Sequence, residues 1–254
     1  MTRHLTILTG ASRGMGLAMA QQLLRSAQSL LCISRKTSAA LSAQAGQIDS
    51  ASLEQWPLDL AEGAAVSAKL GAWLQALDGS EFASATLINN AAALPRISSL
   101  ADADADNIAQ VLRVSLEAPM QLTAAFLHAT KGWPSDRKVL NISSGNGRRA
   151  MASQSIYSAA KAGMDHFTRC LAIEEAARVN GAKVCSLAPG IIDTEMQTHL
   201  RNTDPADFPG HAQFVAYKDN GDLLSPAAAA TRVLAYLARA DFGGTPVADV
   251  RDPA

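Results

Sequence analysis

The sequence predicts an α/β protein: a single domain built as a three-layer, doubly wound parallel sheet. Short β-type runs alternate with longer helical patterns along most of the chain, a pattern that implies a parallel sheet covered by helices on both faces. The chain has 254 residues and is 48% hydrophobic, enough for one sizeable core. Its strongest breakers collect in one stretch, Asp193–Ser225, with no second domain visible beyond it.

Leu5–Thr9 reads as the first strand, followed by helical spacing over Gly14–Ala27. Leu30–Ser34 is the second strand and leads into a short polar crossover. Trp56–Leu60 ends a third strand, and Ala64–Leu77 is apolar at helical spacing. Thr86–Asn89 leads to a long helix within Asp104–Thr130, whose N-terminus is marked by the Ala/Asp run Ala101–Asp106; carboxylates favour the positive end of a helix dipole. Val139–Ser143 precedes a helix over Ser155–Val179, and Lys183–Leu187 closes the series. Right-handed crossovers make a Rossmann-like sheet the natural topology. Asp193–Ser225 carries Asp204-Pro205, Phe208-Pro209-Gly210 and Asn220-Gly221, and a long insertion after the last core strand suits a lid over a binding site at about 193–225.

Composition excludes several function classes. A formal net charge of -1 gives no electrostatic reason for a nucleic-acid or anionic-membrane partner. The N-terminus runs straight into a strand without a signal-peptide pattern, and no apolar run approaches the ~20 residues of a membrane span. Cys32, Cys170 and Cys185 are odd in number, widely spaced and set in apolar stretches, so they read as reduced core residues of a cytoplasmic protein. His128 and His166 have no partner at metal spacing, and no metal is expected.

The chemistry concentrates at strand ends. Thr9-Gly10-Ala11-Ser12-Arg13-Gly14-Met15-Gly16 lies at a strand-to-helix junction, where glycines let the backbone approach a pyrophosphate on a helix N-terminus. Its spacing, G-x-x-x-G-x-G, departs from G-x-G-x-x-G. The second strand ends in Ser34-Arg35-Lys36, where a site for unphosphorylated ribose would place an acid. Arg35 and Arg13 suit a 2′-phosphate through bidentate bonds, so NADP(H) is the expected cofactor. Asp59-Leu60 ends the third strand; Asp59 is either an acceptor for an adenine amino group or a plain helix N-cap. Asn89-Asn90-Ala91-Ala92 ends the fourth. Ser143-Ser144 ends the next strand, and Tyr157 and Lys161 follow four apart on one helical face. A nearby ammonium lowers a tyrosine's pKa from ~10 toward a useful range, while Ser144 holds a substrate carbonyl oxygen.

Taken in order, these motifs and Pro189-Gly190-Ile191-Ile192-Asp193-Thr194 resemble the short-chain dehydrogenase/reductase family over nearly the whole chain. The resemblance implies hydride transfer between a nicotinamide and a carbonyl/alcohol pair. Under it, Gly10, Ser12, Arg13, Gly14, Met15, Gly16, Ser34, Arg35, Asp59, Leu60, Asn89, Ala91, Pro189, Gly190, Ile192 and Thr194 contact the cofactor, and Ser144, Tyr157 and Lys161 are catalytic. Lys161 also holds the nicotinamide ribose. The glycine motif, Ser34-Arg35, the stretch Pro189–Gln197 and the tail from Asp241 are similar to sepiapterin reductase-like members. That likeness places Asp249 as an anchor for a ligand's guanidine-like edge, the alternative being a solvated acid. Gly145, Gly190 and Met196 join Ser144 and Tyr157 at the substrate, with Phe214 and Tyr217 as apolar walls and Arg148-Arg149 at the pocket mouth. Two departures stand out. The family's relay asparagine matches Ser115, whose shorter reach puts a water relay to Lys161 in question, and Ala92 replaces the glycine that usually ends the fourth-strand motif.

The expected activity is NADPH-dependent reduction of a ketone, dicarbonyl or pterin side-chain carbonyl. The rivals are a secondary-alcohol dehydrogenase running toward oxidation and a non-catalytic dinucleotide-binding sensor. The resemblance also implies a homodimer through the two long helices, with a tetramer as the alternative.

Overall fold

The computed structural model describes residues 3–252 and shows seven parallel strands in the order β3-β2-β1-β4-β5-β6-β7. The strands are β1 (Arg3–Thr9), β2 (Gln28–Ser34), β3 (Ser52–Pro57), β4 (Phe82–Asn89), β5 (Asp136–Ile142), β6 (Lys183–Ala188) and β7 (Val247–Asp249). Between and around them run α1 (Gly14–Leu23), α2 (Ala39–Ala45), α3 (Gly63–Gln75), α4 (Ala105–Leu112), α5 (Ala118–Ala129), α6 (Ser155–Ala176), α7 (Glu195–Arg201), α8 (His211–Asp219) and α9 (Pro226–Leu237).

Period-two alternation sorts the strand side chains into two cores. Leu8, Leu30, Cys32, Ile88, Leu140 and Cys185 face α1 and α9, meeting Met15, Met19 and Val233. Their chain neighbours Ile7, Leu31, Leu87, Val139 and Val184 face the other way, onto Val66 and Leu70 of α3, Leu122 and Phe126 of α5, and Leu171 of α6. Three layers result, as the alternation predicts. A third, smaller core (Ile97, Leu200, Phe208 and Phe214) draws three of its four residues from the stretch expected as a lid, which contains α7 and α8.

Several boundaries differ from the sequence reading. The first helix stops at Leu23 because Ala27 takes a left-handed backbone (φ 62°) that turns the chain into β2. The polar crossover contains α2, capped by Ser38 Oγ accepting from the Leu41 amide at 3.4 Å. The third strand is Ser52–Pro57, so it ends at Pro57 and not at the expected Leu60. As an edge strand it pairs with β2 alone, from Ser29 opposite Ser52 to Ser34 opposite Pro57, so Glu54 and Gln55 fit where a central strand would need apolar residues. The long helix within Asp104–Thr130 is broken by a π-helical segment, Arg113–Glu117. Its start is as read, with Asp104 capping α4 through the Asn107 amide at 3.0 Å. The series also continues past β6 into α9 and β7. Cys32 and Cys185 are buried, whereas Cys170 is exposed on α6, a correction to its reading as a core residue. Among the described residues no helix is long and apolar enough to cross a membrane.

The strand order reverses between β1 and β4, and at such a switch point the loops leaving adjacent strands diverge and open a crevice.

Candidate active site

A cleft of about 1290 Å³ opens at the carboxyl ends of the strands. Its floor is the loop between β1 and α1. Gly14 has φ 55°, and a Cβ built there would meet only Thr194 Cγ2, at 3.6 Å, so the bare backbone leaves a cradle that a side chain would begin to fill. A Cβ at Gly16 would lie 2.0 Å from the Gly10 carbonyl oxygen, so α1 can start this close to β1 only with glycine there. Arg13 caps α1 without a side-chain hydrogen bond, which leaves the first-turn amides to an anion. These features fit the pyrophosphate of a dinucleotide.

Neighbouring strands brace this loop. Ser34 Oγ accepts from the Ala11 amide at 2.9 Å. Thr9 Oγ1 accepts from the Asn90 and Ala91 amides at 2.9 and 3.0 Å, and Asn90 Nδ2 donates to the Thr9 carbonyl at 2.9 Å. Asn90, to which the motif reading gave no role, lines the cleft. Asn89, expected at the cofactor, does not: its side chain is buried and donates to Asn141 at 2.8 Å and Thr123 at 3.1 Å. Strand alternation explains the correction, since Asn89 shares the face of Leu87, turned toward α5.

Gly10, Ser12, Met15, Leu60 and Ala91 line the cleft, as do Pro189, Gly190, Ile192 and Thr194 on the opposite wall. Asp59 lines it too and caps a short 3-10 turn, accepting from the Ala61 amide at 2.9 Å. Arg35 is exposed at the cleft and forms no ion pair among the described residues. Arg13 pairs across the cleft with Glu195, the first residue of α7.

Ser144, Tyr157 and Lys161 converge on the middle of the cleft. Tyr157 is 7% exposed and Lys161 1%. The Lys161 ammonium donates to the Ile142 carbonyl at 2.7 Å and lies 5.7 Å from the centre of the Tyr157 ring. The expectation that the ammonium pulls the phenol below its ordinary value is corrected. Burial pushes Tyr157 up to about 12, the Ser144 hydroxyl pulling weakly the other way. Burial likewise lowers Lys161 to about 8, against the opposing pull of the Asp165 carboxylate. At neutral pH the tyrosine is therefore a protonated acid. Asp165, which the sequence reading passed over, is 1% exposed and accepts from Ser143 Oγ at 2.6 Å and Ser186 Oγ at 2.7 Å. Serine at successive positions does two jobs: Ser143 turns inward to Asp165, and Ser144 faces the cleft.

Ser115 is fully buried in the π-helical segment. Its hydroxyl accepts from the Ala93 amide at 3.0 Å and donates to the Ala93 carbonyl at 3.3 Å. It ties down the loop after β4 and is not among the residues lining the cleft, its hydroxyl being taken up by Ala93.

At the far end, Gly145, Met196, Phe214 and Tyr217 line the cleft together with Met151 and Leu94. Asp249 is there also, but its carboxylate accepts from Arg251 Nε and Nη2 at 2.7 and 2.6 Å, with Arg148 at 4.0 Å. The Arg251 hydrogen bonds hold it below the usual carboxylate range. This corrects the expectation of a free anchor for a guanidine-like edge. Among the described residues no cluster of His, Cys, Asp or Glu could hold a metal.

The comparisons agree with this geometry. A family model described as short chain dehydrogenase matches residues 4–205. A benzil reductase ((S)-benzoin forming) of Bacillus cereus is 34% identical over 236 residues, covering 93% of this chain and 94% of that one. A sepiapterin reductase of Xenopus laevis is 28% identical over 244 residues, 92% of this chain and 90% of that one. A solved short chain dehydrogenase/reductase from Saccharomyces cerevisiae superposes with a TM-score of 0.81 at 23% identity, over 98% of this chain and 97% of that one, a likeness of fold. With the strand order, the glycine loop and the Ser144/Tyr157/Lys161 convergence already in place, the chain belongs to the short-chain dehydrogenase family and is an oxidoreductase.

Proposed function

We propose that this oxidoreductase uses NADPH to reduce the carbonyl of a ketone or dicarbonyl with bulky apolar substituents. The observation that carries the reading is a buried, protonated Tyr157 beside Ser144 in one cleft with Lys161. The dinucleotide, when bound, supplies the hydride. The chain's residues handle the oxygen: the Ser144 hydroxyl holds it, and Tyr157 delivers the proton that its developing negative charge demands. Lys161 places a positive charge behind the phenol, stabilising the phenolate left by that transfer.

Two further parts follow from the lining. Arg35 offers a free guanidinium for a 2′-phosphate, which also competes with Glu195 for Arg13; this supports NADPH over NADH. Met151, Met196, Phe214 and Tyr217 give an apolar substrate end, and the Asp249 carboxylate there is neutralised by Arg251. That favours a neutral aromatic diketone over a pterin, in keeping with the relative named benzil reductase. The oxidative direction uses the same groups, and the relatives named as reductases favour reduction.

Three unpaired thiols favour a reducing compartment, hence the cytoplasm. Exposed Met120 on α5 and Ile173 on α6 support pairing of two copies through these helices.

The test is NADPH oxidation with benzil, other diketones, sepiapterin and quinones. Turnover of diketones is expected, and Tyr157→Phe should lower kcat by about 10²–10⁴-fold while NADPH still binds. Tight NADPH binding with no turnover of any substrate would favour the sensor instead.

A further inference from the structure

One strand end and one helix meet here residue by residue. The Ile142 carbonyl accepts from the Lys161 ammonium at 2.7 Å, and the Ser143 hydroxyl donates to the Asp165 carboxylate at 2.6 Å. Ser144, next in line, faces the cleft with Tyr157. Two successive positions of the strand end thus engage residues 161 and 165 and the third shares the cleft with 157, these three being spaced by four along one face of α6. Asp165 is the member of this ladder that the proposed chemistry leaves without a task.

Its environment argues against a purely structural acid. The residue is 1% exposed, and Oδ1 already accepts two hydroxyl bonds, from Ser143 and Ser186. Oδ2 is buried with no partner. It faces the turn after Ser144, where a Cβ on Gly147 would stand 2.6 Å away. An unpaired buried carboxylate oxygen is costly, and an asparagine could keep a hydroxyl bond without the charge. The titratable groups that feel this carboxylate are Lys161 on α6 and Cys185 on β6, and Arg148, on the loop after β5, acts on Cys185 as well. Of these, Lys161 is the buried cation, one helical turn away. Arg148 is directed to the Ala248 carbonyl at 3.1 Å and lies 4.0 Å from Asp249.

We propose that Asp165 is a positioning residue whose buried charge, clamped by Ser143 and Ser186, keeps Lys161 protonated and registered behind Tyr157. This rests on the reading of Tyr157 and Lys161 as the acid and its support. The burial that draws Lys161 down to about 8 is opposed by the Asp165 carboxylate, in the direction the proposal needs. Removing that charge leaves a neutral lysine at working pH and a phenolate without its counter-charge.

The experiment compares Asp165→Asn and Asp165→Ser, both without the charge, with Asp165→Glu, which restores it. Lys161 is titrated by NMR in protein carrying ¹³Cε-lysine and saturated with NADP⁺, its signal assigned from Lys161→Met. In parallel, kcat for NADPH-dependent diketone reduction is followed against pH. In the neutral variants the Lys161 midpoint and the alkaline limb of kcat should both move down by about one unit or more, lowering kcat about fivefold at pH 8 with KM little changed. Asp165→Glu should move the limb back toward wild type. An unchanged Lys161 midpoint in the neutral variants overturns the proposal. So does failure of both neutral variants to fold while the glutamate variant folds, which makes the carboxylate a folding element. If the unmutated protein turns over no carbonyl, the catalytic reading fails, and the lysine titration still decides this one.

Discussion

Tyr157 and Lys161 are both buried, and burial drives both toward their neutral forms. For the phenol this keeps the proton on but weakens the acid, which the Lys161 charge must offset; for the lysine it is a penalty that the Asp165 carboxylate opposes. The two buried thiols feel the same force. Cys32 and Cys185 are each pushed from 9.0 up to about 12, chiefly by desolvation. A group whose folded pKa is raised contributes stability that is intact below its unfolded value and lost as pH climbs through the folded one. Between pH 9 and about 12 each thiol therefore removes about 1.4 kcal/mol per pH unit. Lys161 acts oppositely, its depressed pKa adding stability between about 8 and 10.5. Tyr157 and Tyr236, also raised from 10.0 to about 12, add to the loss above pH 10. Urea unfolding should thus show stability falling from about pH 9 and more steeply above 10, and Cys32→Ala with Cys185→Ala should remove the part of the decline that begins at pH 9. A midpoint insensitive to pH across this range would contradict it. Also at this scale, Arg35→Asp replaces the free guanidinium at the cleft with a like charge to a 2′-phosphate. Losing one charge-assisted contact is worth about 1.5–3 kcal/mol, so NADPH should bind at least tenfold more weakly while NADH binding holds. Equal use of NADPH and NADH by the unmutated protein would deny the guanidinium this role.

At the scale of elements, the region read as an irregular lid has a small core of its own. Phe208 is fully buried, its ring centre 5.2 Å from that of Phe214, which in turn lies 5.8 Å from Tyr217. Phe214 and Tyr217 also line the cleft, so the packing that orders α7 and α8 shapes the substrate end. Phe208→Ala removes the anchor, a truncation that costs about 3–5 kcal/mol where it is fully felt. Hydrogen exchange in α7 and α8 should accelerate and KM for the carbonyl substrate should rise several-fold, with a smaller change in NADPH affinity, felt only through Thr194 and the Arg13–Glu195 pair at the start of α7. Equal loss of both affinities would mean that the lid is not a separate unit. Helices here were harder to foresee than strands. The breakers at Asp204-Pro205 and Phe208-Pro209 are real, but they separate two short helices whose stability comes from contacts distant in sequence. The extent of the edge strand β3 was hard to read for a related reason, since its polar pattern makes sense only once its single neighbour is known.

For the whole molecule, the crossing of the sheet at β1 and β4 decides where chemistry can occur, because the glycine loop and the Asn90 loop part there. The outer faces of α5 and α6 leave Met120 and Ile173 in solvent, 42% and 75% exposed. If two copies pair on this face, Ile173→Arg should shift sedimentation from dimer to monomer. A wild-type monomer at micromolar concentration would dismiss the pairing.

The sequence by itself determined the alternation of elements, the class of sheet, the dinucleotide loop and the helix spacing of Tyr157 and Lys161, because these depend on neighbours at most a few residues apart. Tertiary structure alone decided which of two adjacent asparagines faces the cleft, which of two serines meets Asp165, and that the Ser115 hydroxyl is taken up by Ala93. It also decided that Asp249 is neutralised by Arg251 and that burial outweighs the ammonium in setting the protonation of Tyr157. Desolvation and hydrogen-bond partnership are properties of the space around a group, and that space is assembled from residues tens of positions away.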